Sequence, residues 1–308
     1  MPNAKVAEPG AAAEAWAASE PADDARLARM RALLEQSSPK KAPRASYQDP
    51  MVLSSGYAMP RVGLGTAHLF EAQIAANLAA GARHLDCARM YGNEAAVGRA
   101  VRASGVPRCE LFLTTKLWMD EARPERVAAA VDDSLAALQT SYVDLLLIHW
   151  PLKFRPGTVL ARDGAVGDFS ATWAAMEALV REGLVRHIGV SNFGVRQLAD
   201  ALETGVTIAV NQLAYNLLTR AVEFEILPFC RQRGIGVLAY SPLLQGVLTG
   251  AFPTIADIPP YRARTRHFSG ARDTSRRGEA GHEPLLAATL EKLRAVAASS
   301  GIALADLA

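Results

Sequence analysis

Four residues able to take part in proton transfer stand along the middle of the chain: Asp86, Tyr91, Lys116 and His149. A phenol with an ordinary pKa of about 10 is a poor acid at neutral pH. A neighbouring ammonium such as Lys116 is expected to stabilise the phenolate and draw that pKa down. A carboxylate such as Asp86 would hold the lysine in place and charged. An imidazole beside the phenol can orient and polarise a carbonyl group. Together the four would protonate a carbonyl oxygen as a hydride arrives at its carbon. Any one of them alone is explained as a structural residue at the end of a strand, and only their joint arrival at one place makes a site.

The elements that must bring them together are visible in the apolar pattern. Short apolar runs alternate with longer helical patterns, predicting strands at Val62–Gly65, His84–Asp86, Leu111–Lys116, Val143–His149, Arg186–Val190, Ile208–Gln212 and Gly236–Tyr240. Helices are predicted between them, among others at Asn93–Ala103, Glu125–Leu138, Phe169–Glu182 and Val222–Arg233, with a later one at Leu285–Ala298. Gly81, Gly183, Gly205 and Gly234 each fall between a helix and the next strand, where a left-handed cap is wanted. Such alternation predicts right-handed βαβ units and a parallel sheet.

Two features choose a barrel over a doubly wound sheet. The first predicted strand lacks the G-x-G-x-x-G turn of dinucleotide-binding sheets. Six successive strands end in polar or reactive residues: Asp86, Lys116, His149, Ser191-Asn192, Gln212 and Tyr240-Ser241. Only a barrel makes those ends converge on one mouth. Ahead of the barrel, Val52–Ser54 and Tyr57–Met59 flank Ser55-Gly56 as a predicted hairpin. Residues 1–50 read as a disordered extension in which Leu27, Met30, Leu33 and Leu34 have helical spacing. Residues 51–308 are expected to form the barrel.

Composition narrows the function. The 308 residues carry a net charge of +2, too weak and too scattered for a nucleic-acid surface, and half are apolar. Three cysteines, Cys87, Cys109 and Cys230, are odd in number and share no metal-ligand spacing, so neither a disulfide framework nor a metal is expected. No apolar run approaches the roughly 20 residues needed to cross a bilayer. A monomeric cytoplasmic enzyme without membrane or nucleic-acid partners is the resulting expectation.

The motifs resemble those of the aldo-keto reductase family. Gly81-Ala82-Arg83-His84-Leu85-Asp86 with Tyr91 and Asn93-Glu94 is similar to that family's first signature. Thr114-Thr115-Lys116-Leu117-Trp118, Leu147-Ile148-His149-Trp150-Pro151, Gly189-Val190-Ser191-Asn192-Phe193, Val210-Asn211-Gln212 and Ala239-Tyr240-Ser241-Pro242-Leu243 follow in the family's order. The resemblance implies a (β/α)8 TIM-type barrel that reduces aldehydes or ketones to alcohols with NADPH. It implies the tetrad Asp86, Tyr91, Lys116 and His149, with Tyr91 as general acid. It further implies that Ser191, Asn192 and Gln212 bond the nicotinamide carboxamide, an amide matching amides, and that Tyr240 stacks on the ring. Ser241 and Leu243 would lie along the pyrophosphate, Gly65 and Thr66 would close over the cofactor, and Trp118 and Trp150 would wall the carbonyl pocket. Ala67 and Cys87 depart from the family's usual tryptophan and threonine.

Members of the family continue beyond the point matched by Gly301–Ala308 with an eighth strand, a last helix and a specificity loop. The expectation is therefore a barrel lacking its eighth strand and last helix, poorly stable and a weak binder of NADPH. An arginine-rich segment, Arg262, Arg264, Arg266, Arg272, Arg276 and Arg277, is read in two ways, as a loop that folds in part over the cofactor phosphates or as a solvated basic loop. The alternative reading is a weak or inactive barrel with a binding or regulatory role, as in the potassium-channel β subunits that resemble reductases. The residues leave the carbonyl compound open.

Overall fold

The computed structural model describes residues 50–53, 56–153, 169–259, 268 and 282–308. The predicted extension before residue 50, with the helical spacing read in it, Ser54-Ser55 of the predicted hairpin turn and the arginine-rich segment lie outside the described residues. The described residues of Lys41–Ala214 and Ala221–Tyr240 form one compact unit, and those of Tyr215–Arg220 and Ser241–Ala308 form another.

The larger unit opens with a hairpin, β1 (Met51–Val52) antiparallel to β2 (Ala58–Met59), turning at Gly56 with φ +79°. Seven parallel strands follow: β3 (Leu64–Gly65), β4 (His84–Asp86), β5 (Phe112–Leu117), β6 (Val143–Ile148), β7 (Val185–Ser191), β8 (Val210–Ala214) and β9 (Gly236–Tyr240). They hydrogen-bond in strict chain order. Between them run α1 (Glu71–Ala79), α2 (Glu94–Ser104), α3 (Pro124–Leu138), α4 (Ser170–Arg181), α5 (Val195–Glu203) and α6 (Ile226–Gln232).

The sheet is curled into a barrel, and one contact proves it. Gln212 on β8 donates to Asp86 on β4 at 3.0 Å. Four strand spacings of about 4.8 Å would hold those strands about 19 Å apart in a flat sheet, beyond the reach of both side chains. Strand alternation then sorts residues between two cores. Phe112, Leu145, Leu147, Val210 and Leu238 face inward and pack with Leu53, Met59 and Tyr57 of the hairpin segment. Leu113, Leu117, Leu146 and Ile148 face outward against the helices. Tyr57 lies 4.9 Å from the His187 ring and 6.2 Å from the Phe112 ring, so the hairpin plugs the end where the strands begin. The opposite end is left for chemistry.

The helices are built as the pattern predicts. On α3, Val127, Ala130, Val131, Ser134, Leu135 and Leu138 form one buried stripe at spacings of three and four, behind Pro124 at the first helical position. Gly81, Gly183, Gly205 and Gly234 all take the positive φ expected of them. The predicted helix Val222–Arg233 is broken instead into a 3-10 turn, Ala221–Glu223, and α6. Pro228 explains the break, since proline has no N–H and its ring clashes with the carbonyl four residues back; it is tolerated only in the first turn. The first predicted barrel strand shortens to Leu64–Gly65, leaving Val62 exposed.

The smaller unit carries α7 (Glu283–Ser299) and α8 (Leu304–Leu307), with 3-10 turns at Leu244–Thr249 and Ile255–Asp257. Leu244, Val247, Leu248, Ile258, Leu286 and Leu290 make its core. Among the described residues no helix is long and apolar enough to cross a membrane.

Candidate active site

The C-terminal ends of the strands set the catalytic candidates in place. Asp86 closes β4 and points inward, two residues after the buried His84. The chain beyond it turns through a 3-10 helix, Arg89–Tyr91, stopped by Gly92 at φ +66°, where glycine carries no Cβ penalty. Asn93 then donates to Thr66 O at 2.7 Å and to Leu69 O at 3.0 Å, pinning this loop to the one after β3. Glu94 at the start of α2 accepts from Thr115 at 2.6 Å and from Ser134 at 3.1 Å, fixing the helix to β5 and α3. The Tyr91 loop is thus held on both sides.

Lys116 is the centre of the site. Its side chain is fully buried, and its Nζ donates to Asp86 Oδ1 and to Cys87 O, each at 2.8 Å. The Tyr91 hydroxyl lies 3.4 Å from the same nitrogen. His149, just past β6, stands edge-on to Tyr91 with ring centroids 6.1 Å apart. Trp118 packs edge-on against the same imidazole at 5.1 Å. The four predicted catalytic residues and Trp118 are therefore one cluster.

Electrostatics depart from the sequence expectation at one point. Burial pushes the Tyr91 phenol up; Lys116 pulls it down and Asp86 pushes it up again, so the net direction is above the ordinary phenol value. The expected lowering does not occur because Asp86 offsets the ammonium and water is excluded from the ring. Burial pulls the Lys116 ammonium down, but Asp86 and Tyr91 outweigh it and leave it above the ordinary value. Burial and then Lys116 push His149 down to about 3. Near neutral pH the cluster thus holds a protonated phenol, an ammonium and a neutral imidazole. Burial also raises the Cys87 thiol to about 12, which keeps it protonated and inert.

The predicted cofactor residues fall in three groups. Ser191, Asn192, Gln212 and Tyr240 join one network beside the tetrad. Asn192, held at φ +64°, donates to His149 O and to Ser191 Oγ, each at 3.0 Å. Its carbonyl accepts the Tyr240 hydroxyl at 2.9 Å. Gln212 is buried and donates from its side-chain amide to Asp86 Oδ1 at 3.0 Å. The side-chain amides of Asn192 and Gln212 carry both donors and acceptors, the set that complements a primary carboxamide. The group the resemblance implies, a nicotinamide, therefore fits the donor set. Next, Thr66 is fully buried, its N–H and hydroxyl both donating to Asp86 O at 3.0 and 3.1 Å, and Gly65 beside it is exposed. Last, Ser241 and Leu243 belong to the smaller unit. Trp150 is 37% exposed, unlike the half-buried Trp118. No group of three or more metal-ligating side chains is gathered among the described residues.

Sequence reading passed over Arg89 and Glu121. Arg89 Nε and Nη2 both donate to Glu121 Oε1, at 3.0 and 2.8 Å, behind the Tyr91 loop. Opposite charges 32 residues apart carry no signal in a single sequence, because no periodicity links them.

Comparison with known proteins places this geometry. A family model described as the aldo/keto reductase family matches residues 61–308. Over 210 residues the chain is 41% identical to aldo-keto reductase family 1 member A1 of Rattus norvegicus, covering 63% of this chain and 64% of the rat protein. Its fold is similar to that of the aldose reductase from Schistosoma japonicum, with a TM-score of 0.59 and 34% identity over 68% of this chain and 73% of that one. A putative 2,5-diketo-D-gluconic acid reductase B gives a TM-score of 0.56 at 34% identity, covering 69% and 72%. The chain thus spans 64% of the length of the rat relative.

Proposed function

Since this chain belongs to the aldo/keto reductase family, we propose that its barrel mouth reduces aldehydes or ketones to alcohols, with NADPH as the cofactor and Tyr91 as general acid. The observation that carries the reading is the position of Lys116 Nζ, fully buried between Asp86 Oδ1 at 2.8 Å and the Tyr91 hydroxyl at 3.4 Å. NADPH, when bound, supplies a hydride to the carbonyl carbon. Tyr91 gives its hydroxyl proton to the carbonyl oxygen. The phenolate left behind faces a charged ammonium, and Asp86 keeps that ammonium in place. Neutral His149 has a ring N–H with which to orient the carbonyl oxygen toward Tyr91. Trp118 and Trp150 wall the carbonyl pocket.

Ser191, Asn192 and Gln212 hold the nicotinamide carboxamide, and Tyr240 packs on the ring and fixes the face it presents. Gly65 and Thr66 close over the cofactor. The protein acts as a monomer in the cytoplasm on a small-molecule carbonyl compound.

The deciding experiment is Tyr91→Phe, assayed by NADPH oxidation with a panel of aldehydes and by fluorescence titration with NADPH. The expected result is a fall in kcat of about 10²–10⁴-fold, the usual size of a general-acid contribution, with NADPH binding unchanged. A Tyr91→Phe enzyme that turns over like wild type would exclude Tyr91 as the acid.

A further inference from the structure

We propose that the Arg89–Glu121 ion pair is a strut that sets the gap between the Tyr91 and Trp118 rings and so decides how large a carbonyl group the mouth admits. The inference rests on the carbonyl-reduction reading of this site and adds two positioning residues to it.

The contacts form a closed circuit. Arg89 shares the 3-10 turn of Tyr91, and its guanidinium donates twice to Glu121 Oε1. The other carboxylate oxygen accepts the backbone N–H of Trp118 at 3.2 Å. The N–H groups of Glu121 and Ala122 both return to Trp118 O at 3.0 Å, closing Glu121 into one turn with the tryptophan. On the substrate side, the His149 ring meets Tyr91 and Trp118 edge-on. Two rings thus flank one imidazole, and the loops that carry them are tied together from behind by a single carboxylate.

The strut is placed to be stiff. The Glu121 side chain is 10% exposed and that of Arg89 25%, so water screens the pair far less than a surface pair. Arg89 also reaches Asp133 Oδ2 at 3.2 Å, a carboxylate that is 67% exposed. The two partners are therefore unequal. Loss of Glu121 leaves Arg89 a second acid, while loss of Arg89 takes from the buried carboxylate the guanidinium that donates to it twice. Arg89 variants should be the more severe.

The test compares Glu121→Gln, Arg89→Lys and Arg89→Met with a control, Arg99→Met, which breaks an exposed surface pair with Glu71. Two readouts are taken on the full chain. Protein labelled with 5-fluorotryptophan is examined by ¹⁹F NMR, the Trp118 signal being assigned with Trp118→Phe. Steady-state kinetics then compare propanal with a bulky aromatic aldehyde, beside NADPH titrations.

Glu121→Gln and Arg89→Met are expected to move or broaden the Trp118 signal and to change the KM ratio of the two aldehydes by about tenfold, the scale of a misplacement well under 1 Å. NADPH affinity and the other tryptophan signals should stay put, Arg89→Lys should recover part of the effect, and Arg99→Met should do nothing. A Trp118 signal and KM ratio that are unmoved in both variants would overturn the strut, as would parallel loss of all activities with the folded fraction. If the wild-type chain reduces no aldehyde, the functional reading falls, and the NMR arm still decides whether the pair holds Trp118.

Discussion

Gln212 Nε2 donates to the same oxygen of Asp86 that accepts Lys116 Nζ, at 3.0 and 2.8 Å. The bond joins two strands that are four apart in the sheet, and it connects the proposed carboxamide-binding residue to the proposed proton-transfer cluster. A hydrogen bond to a charged group contributes about 1.5–3 kcal/mol. Gln212→Leu should lower stability by roughly that amount in denaturant titrations, and it should weaken NADPH binding in a fluorescence titration. A leucine variant with unchanged stability would show that this bond contributes nothing.

The raised phenol has a consequence for the pH profile. In the proposed reaction the protonated Tyr91 is the active form, and its pKa lies above the ordinary value because of burial. kcat/KM for aldehyde reduction should therefore stay flat with respect to this group until beyond about pH 10, where an ordinary phenol ionises. An alkaline limb centred well below about pH 9 and absent in Tyr91→Phe would contradict this assignment.

His149 makes the fold sensitive to acid. Its folded pKa is about 3, whereas a free imidazole titrates near 6.5. Between those values the unfolded chain takes up a proton that the folded chain refuses. Stability is therefore complete above about pH 6.5 and is lost as pH falls toward about 3. His84 and His187 are also shifted down, by burial first, and add to the same slope. Thermal melts of His149→Asn between about pH 7 and 4 should fall less steeply than those of the wild type.

At the opposite end of the barrel, Asp144 is a stability residue. Its side chain is 1% exposed and accepts from Arg108 at 2.7 Å, from Leu113 N at 2.8 Å and from Arg186 at 3.4 Å. Both guanidinium groups also lie over the Tyr142 ring, at 3.9 and 4.1 Å. Removing one member of such a buried pair costs about 3–5 kcal/mol. Asp144→Asn should lower the unfolding midpoint accordingly, while the folded fraction retains the wild-type pH profile and the wild-type KM for aldehydes.

Much of this molecule can be read from one dimension. Short, mostly apolar runs at Phe112–Leu117 and Val143–Ile148, and spacing of three and four in Pro124–Leu138, announce the strands and helices because burial of apolar side chains is local to each element. The polar residues at successive strand ends announce the mouth, because a parallel barrel brings all its strand ends to one side. Hence Asp86, Tyr91, Lys116, His149, Ser191, Asn192 and Gln212 are legible in the sequence alone. The tertiary structure decided what depends on distance through space. It brought Gln212 to Asp86 across the barrel, paired Arg89 with Glu121 behind the two loops, and separated exposed Trp150 from half-buried Trp118. It also reversed the expected direction of the Tyr91 pKa. Burial and the competing charges of Lys116 and Asp86 act over a few ångströms among residues far apart in the chain, and the order of residues does not encode which of them prevails.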